Sequence, residues 1–141
     1  MCIDKFNAER YYDPTAYEAM TKIEKEFYAF RPIVYICSPY AGDVEGNVEN
    51  ARKYSKAAVT AGYLPIAPHL LFPQFMDDTV SKERELGMFF GNILMSKCAE
   101  VWVCGERISE GMKAEIDRAK RKGYKTRYFD REMKEVPPYG T

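Results

Sequence analysis

The sequence predicts an α/β domain, a parallel sheet of four to five strands with helices on both faces, preceded by an extra N-terminal helix. Three observations carry this expectation. Short apolar runs, mostly β-branched, recur at residues 33–38, 63–68, 99–105 and 125–129, and runs of this kind read as strands. Between them lie stretches with apolar residues at helical spacing. The chain has 141 residues with 46% hydrophobic content, enough for one domain with a proper core. Strands that alternate with helices give a sheet covered on both sides.

Residues 1–30 read as a helical extension. Asp13 is a natural N-cap and Pro14 a natural first helical residue. Tyr17, Met20, Ile23 and Phe27 then recur at helical spacing. This helix ends before Pro32 and is expected on the domain edge or in a subunit interface.

The main domain covers residues 31–130. IVYICS (33–38) is its first strand, followed by the glycine-bearing loop PYAGDVEGN. Val48 to Ala61 has helical character, with Gly62 as its C′ stop. YLPIAP (63–68) is the second strand and runs into the proline-bounded loop HLLFPQFMDD. Ser81 to Lys97 is helical again, with Leu86, Phe89, Phe90, Ile93 and Leu94 as its apolar face. AEVWVCG (99–105) is the third strand. The next helix begins at Ser109 or Glu110 and ends near Gly123, and KTRYF (125–129) is the fourth strand. The tail, residues 131–141, reads as loosely ordered.

Composition narrows the function. Lys plus Arg and Asp plus Glu number 21 each, so no basic field draws the chain to nucleic acid. The four cysteines form no CxxC pair and His69 is the single histidine, which argues against a zinc site. No metal and no cofactor is expected. The opening MCIDKFNAERYYD lacks a signal-type apolar stretch and nothing later reaches membrane-spanning length. The expectation is a cytoplasmic protein with reduced thiols and no membrane partner.

In a parallel sheet of this kind, ligands bind beyond the carboxyl ends of the strands, where strand order reverses. Three loops meet at that edge: SPYAGD, PHLLFPQFMDD and GERISEG. The first is neither a P-loop nor a GxGxxG fingerprint. It is either an ordinary βα turn or a ligand cradle, in which Ser38, Pro39, Ala41 and Gly42 bring small side chains or backbone groups and Tyr40 an aromatic face.

Glu115 is the sharper case. A capping-box glutamate stands three residues after the cap, and from Ser109 that position is Met112. Glu115 lies a turn deeper and borders the inward stripe of Met112, Ile116, Ala119 and Gly123. The outward face of Lys113, Asp117, Lys120 and Arg121 pairs its own charges. Glu115 is therefore either a partly exposed glutamate with no duty or a carboxylate presented to the cleft as nucleophile or base.

Ser109 is an N-cap, and with Gly111 it also leaves N–H groups free for an anion. Asp77 and Asp78 suit a turn or the cleft. Asn92, on the side of Phe89, is a mediocre helix residue that wants a partner. His69, Cys37 and Trp102 read as structural.

Taken in order, VYICSPYAG, GYLPIAPHLLFP, ERELGMFFGNILMSKCAEVWVCG and ISEGMKAEIDRA resemble the nucleoside 2-deoxyribosyltransferase superfamily, closest to the small branch borne by bacteria and phages. The resemblance covers about residues 31 to 129, and SxGxxxE, here Ser109, Gly111 and Glu115, is its most specific element. It implies a Rossmann-like three-layer fold that breaks the N-glycosidic bond of a nucleoside or nucleotide. The matching glutamate, Glu115, attacks the anomeric carbon to form a glycosyl-enzyme, and transfer to another base or to water completes the cycle. The matching serine, Ser109, holds the sugar or its 5′-phosphate.

On this reading Glu115, Asn92 and Asp78 are the catalytic candidates. Ser38, Pro39, Tyr40, Gly42, Ser109, Gly111 and Met112 are the substrate-binding ones. Some members carry an aspartate where Asn92 stands. Asparagine cannot titrate, so Asp77, Asp78 or Glu85 would have to supply the acid. Members that act on phosphates favour an arginine at the position of Tyr40, which argues against a strong preference for 5′-monophosphates. The resemblance also implies a homodimer or larger homo-oligomer. The alternative is a module that binds a nucleotide or ADP-ribose-like ligand without cleaving it.

Overall fold

The computed structural model describes residues 21–27 and 29–138. The chain divides into two units, Met1–Arg31 and Pro32–Thr141. In the first, helix α1 (Lys22–Phe27) starts at a capping box. The Glu24 N–H donates to Thr21 Oγ1 and the Thr21 N–H to Glu24 Oε2, both at 3.2 Å. The earlier start expected at Asp13 and Pro14, with Tyr17 and Met20, lies outside the described residues.

The second unit begins with β1 (Ile33–Cys37), α2 (Val44–Thr60) and β2 (Leu64–Ile66). A single turn, α3 (Pro68–Leu71), runs into a 3-10 turn at Phe72–Gln74. Then come α4 (Ser81–Ser96), β3 (Glu100–Cys104), α5 (Glu110–Lys122), β4 (Lys125–Phe129) and β5 (Glu135–Val136). The sheet runs β2-β1-β3-β4-β5. Four strands are parallel and β5 is antiparallel, with Tyr128 opposite Val136.

Both faces of the sheet are covered, giving three layers. Tyr35, Cys37, Val101, Val103 and Tyr128 pack with Met95 of α4 and with Met112, Ile116 and Ala119 of α5. The alternate residues Val34, Ile36, Trp102, Cys104 and Phe129 pack with Tyr54 and Ala58 of α2 on the other side. This alternation follows the two-residue period of a strand. With both faces buried, the strands read as nearly continuous apolar runs.

Three details depart from the sequence expectation. Helix α2 starts at Val44 rather than Val48, because Asp43 caps it: its Oδ1 accepts the Gly46 N–H at 3.2 Å. Gly46 and Asn47, weak helix formers, hide that start in the sequence. The tail is not wholly loose. Asp130 Oδ1 accepts the N–H groups of Glu132 and Lys134 at 2.9 Å each, turning the chain back so that β5 pairs with β4.

The third departure is helix α4. Its inward side holds the buried Gly91 and Met95, not the full expected stripe. Leu86, Phe89 and Ile93 are exposed. The reason is Gly91: a Cβ there would sit 3.2 Å from the Tyr35 hydroxyl. The helix approaches the sheet on its narrowest side and leaves the bulkier one outward.

A polar network joins β3, β4 and β5 at the amino end of β3. Buried Glu100 accepts from Trp102 Nε1 at 2.9 Å and Arg127 Nη1 at 3.2 Å. Arg127 also grips Glu135 through two bonds, at 3.1 and 2.9 Å, the strong bidentate form. Burial pushes the Glu100 carboxyl up, yet the bonds from Trp102 and Arg127 outweigh it and the net shift is downward.

At the opposite edge, β1 leads to β2 on one side while β3 lies on its other side. The carboxyl ends of β1 and β3 therefore form the switch point of the sheet.

Candidate active site

Two loops leave the switch point, residues 38–43 after β1 and 105–109 after β3. Ser38 is buried where β1 ends. Asn47, from the first turn of α2, donates through Nδ2 to the carbonyls of Tyr40 at 2.9 Å and Ala41 at 3.2 Å, and so fixes the first loop. Gly42 takes φ +97 with open space around it, a conformation other residues adopt at a cost. Gly105 takes φ +104, and a Cβ there would lie 3.2 Å from the Tyr54 hydroxyl and 3.9 Å from Pro39 Cδ. The two loops are thus closely apposed.

Helix α5 starts at the second loop. Ser109 Oγ accepts the Met112 N–H at 3.3 Å, and the Ser109 N–H points to Met112 Sδ at 3.4 Å. Methionine sulfur takes the place usually held by a glutamate in this motif. Met112 is buried in the core. Gly111 faces open space. The helix closes at Gly123 in the left-handed region, φ +72.

Glu115 stands on the flank of α5 and faces β1. The Tyr35 hydroxyl donates to its carboxylate, and Gly91 of α4 gives that hydroxyl its room. Burial pushes the Glu115 carboxyl up to about 7, against the pull of the Tyr35 bond. An isolated carboxyl that withdraws this far from water favours its neutral form. At neutral pH the group is divided between acid and carboxylate, a state found at functional sites more than at structural ones.

The surrounding groups keep their protons. Burial, then the charge of Glu115, hold the Tyr35 hydroxyl far above the usual range. Burial pushes the Cys37 thiol well up, with Glu115 and Cys104 adding to it. Burial also raises Cys98 to about 11 and Cys104 to about 12. Thiols that stay protonated are poor nucleophiles, so Glu115 has no competitor among them.

A second group gathers at the first loop. The Tyr40 and His69 rings stack at 4.9 Å, with 21° between their planes. Burial pushes the Tyr40 hydroxyl up, and the charge of Asp78 adds to that. Burial holds His69 below its usual value, and the Asp78 charge partly opposes it. Asp77 is used in the turn: its Oδ1 accepts from Thr79 N at 2.9 Å and Oγ1 at 2.6 Å.

The structure thus brings Tyr40 and Asp78 together with His69, and Glu115 together with Tyr35 and Cys37. No hydrogen bond or ion pair among the described residues joins Asp78 or Asn92 to Glu115. Asn92 is half-buried on α4, beside Gly91. A groove of about 260 Å³ runs along the other flank of α5, between Ile108, Lys113, Lys120 and Tyr128, and Glu115 does not line it.

Sequence reasoning passed over Tyr35, Asn47 and Gly91. Tyr35 had a usable signal. A tyrosine inside a buried strand needs a partner for its hydroxyl, and the inward carboxylate was the candidate in view. Among the described residues no cluster of three His, Cys, Asp or Glu side chains could hold a metal ion. None of the described helices is long and apolar enough to cross a membrane.

The model of a domain of unknown function, DUF7768, matches residues 32–129. The chain belongs to that family. No curated protein matches the chain by sequence. Among solved structures, the fold is similar to that of a 2-deoxyribosyltransferase from the psychrotolerant bacterium Bacillus psychrosaccharolyticus, described as a biocatalyst for nucleoside synthesis. The TM-score is 0.60 and the identity 12%, over 75% of this chain and 77% of the other. The likeness is one of fold: the α/β architecture expected from the sequence, with its central sheet flanked by helices.

Proposed function

We propose that this protein breaks the N-glycosidic bond of a nucleoside or nucleotide, with Glu115 as the nucleophile. The observation that carries the proposal is the placement of Glu115. It is a half-buried carboxylate on α5, the helix that follows β3 at the switch point, held by the Tyr35 hydroxyl, in a fold shared with a 2-deoxyribosyltransferase.

The carboxylate form attacks the anomeric carbon while the bond to the base breaks with its electron pair. The glycosyl ester so formed is then opened by water or by a second base. Positive charge developing on the sugar favours the ionised form of Glu115 as the transition state is approached. Tyr35 orients the carboxylate and remains a donor throughout. Ser109 and the N–H groups at the start of α5 face the sugar or its phosphate.

Tyr40, His69 and Asp78 form the base side of the site. Asp78 or His69, rather than Asn92, supplies the proton to the departing base, because an amide cannot titrate. That same amide favours a second reading, retention of a nucleotide or ADP-ribose-like ligand without cleavage.

Chromatography of free base from a panel of nucleosides and nucleotides, with the wild type beside Glu115→Ala, tests the proposal. Release by the wild type alone is expected. Release by both proteins would refute the role of Glu115. Release by neither, with ligand recovered intact and bound, would replace the enzyme by the binding module.

A further inference from the structure

Three glycines stand around the Tyr35–Glu115 pair, Gly87 and Gly91 on α4 and Gly111 on α5. Gly91 has a packing reason, since a Cβ there would sit 3.2 Å from the Tyr35 hydroxyl. Gly87 lies one turn earlier on the same side of α4, and Gly111 one turn before Glu115 on the same side of α5. A Cβ added at either would meet no atom within 4 Å. Gly87 is in the interior of Ser81–Ser96, where glycine costs stability relative to alanine. Its φ is not in the left-handed region that favours glycine. Packing and backbone geometry thus give no reason for a glycine at this position.

The course of the two helices places the space that Gly87 leaves open. Helix α4 leads into β3 and α5 leads from β3 to β4, its parallel neighbour. Both helices therefore run from the carboxyl edge of the sheet toward the amino edge. One turn earlier on either helix is about 6 Å nearer the carboxyl edge. Gly87 and Gly111 accordingly bound the space between the level of Glu115 and the switch point, the place where such sheets bind ligands.

We propose that Gly87 is a specificity-determining residue of the Glu115 site, an assignment that rests on Glu115 as the nucleophile. Together with Gly111 it keeps side chains out of the passage by which the sugar reaches the carboxylate, and so sets the width of the glycosyl group admitted. The substrate is then a nucleoside or nucleotide whose sugar packs against helix backbone, the close approach for which glycine is the fitting residue.

Gly87→Ala and Gly87→Val, compared with wild type and Glu115→Ala in thermal melts and in steady-state base release from a panel of nucleosides and nucleotides, test the proposal. Gly87→Ala should melt about 2–4 °C higher, the gain from alanine at an open helix position. Its kcat/KM should fall at least about 10-fold, through KM, and that of Gly87→Val at least about 100-fold, as one or more added carbons in a fitted site require. The pH dependence of kcat/KM should stay in place in both variants, because neither new side chain touches Tyr35 or Glu115. Circular dichroism confirms folding of each variant. A glycine with a purely structural role would not raise stability and lower turnover in one substitution.

A Gly87→Ala protein that melts higher with kcat/KM unchanged overturns the proposal, and with Glu115→Ala inactive it leaves the role of Glu115 standing. A lower melting temperature in Gly87→Ala also overturns it, since the position would not be open. If the wild type releases no base, the nucleophile reading fails by itself, and calorimetry with the same nucleosides and nucleotides decides on the passage. Binding weakened at least about 10-fold in Gly87→Val supports it; equal binding, or none to the wild type, overturns it.

Discussion

Replacing Glu115 by Gln should make the protein more stable at neutral and alkaline pH and leave it nearly unchanged in acid. Burial lifts the carboxyl from its ordinary 4.5 to about 7 in the folded state. The folded protein therefore holds a proton that the unfolded chain has released between those two values. Stability falls as pH rises through that window and levels off above it. A gap of about 2.5 units at 1.36 kcal/mol each is about 3.4 kcal/mol. Because solvent still reaches part of the residue, about 2–3 kcal/mol is the usable figure.

Glutamine has the same shape, still accepts from Tyr35, and does not ionise. The difference between variant and wild type should be within about 1 kcal/mol near pH 4.5 and reach about 2–3 kcal/mol near pH 8. In a domain of this size that is a rise in Tm of roughly 6–10 °C. Urea unfolding at several pH values reads it directly, and the difference curve removes every other titrating group. A constant offset across pH, or a variant less stable than wild type at about pH 8, would sink the account of a carboxylate withdrawn from water. The sequence alone suggested a partly exposed glutamate with little bearing on stability. The structure leaves Glu115 half-buried, but enough protein surrounds the carboxyl to raise its pKa, and a residue that costs stability where it stands fits a working role better than an idle one.

Tyr35→Phe removes the bond that draws the Glu115 carboxyl down, so the pH profile of base release should move to higher pH with the same limiting shape; an unmoved profile would disconnect the pair. In Gly91→Ala the gain in helix propensity of about 1 kcal/mol is set against a Cβ 3.2 Å from the Tyr35 hydroxyl. Thermal melts should change little while base release falls, as Tyr35 is pushed from Glu115. Arg127→Met leaves Glu100 buried with fewer partners and should cost about 2–3 kcal/mol near neutral pH. The folded pKa of Glu100 is depressed, so that loss should shrink as pH falls below about 4.5. Urea titrations at two pH values check both signs.

Much of the fold was legible because strand, helix and stop signals are local. KTRYF coincides with β4, Ser109 caps α5, and Gly62 and Gly123 end their helices in the left-handed region. What was illegible depends on distant partners. The two residues of β5 have no periodicity to read, and their pairing rests on Asp130 turning the chain and Arg127 holding Glu135. The apolar residues of α4 were assigned inward because apolar residues usually face inward. Which side of a helix faces a sheet is settled by fit, and there Gly91 decided it.

The candidate site follows the same division. The position of Glu115 against the capping register could be read from spacing, since Met112 occupied the place a capping glutamate would hold. Its environment could not, because burial is made by Tyr35, 80 residues earlier in the chain, and by the approach of α4, which ends 19 residues before Glu115. Glu115 and Gly91 share one design: the glycine brings α4 onto the sheet, the sheet tyrosine fills the space beneath it, and the carboxylate loses its water. The same approach turns Phe89 and its neighbours outward.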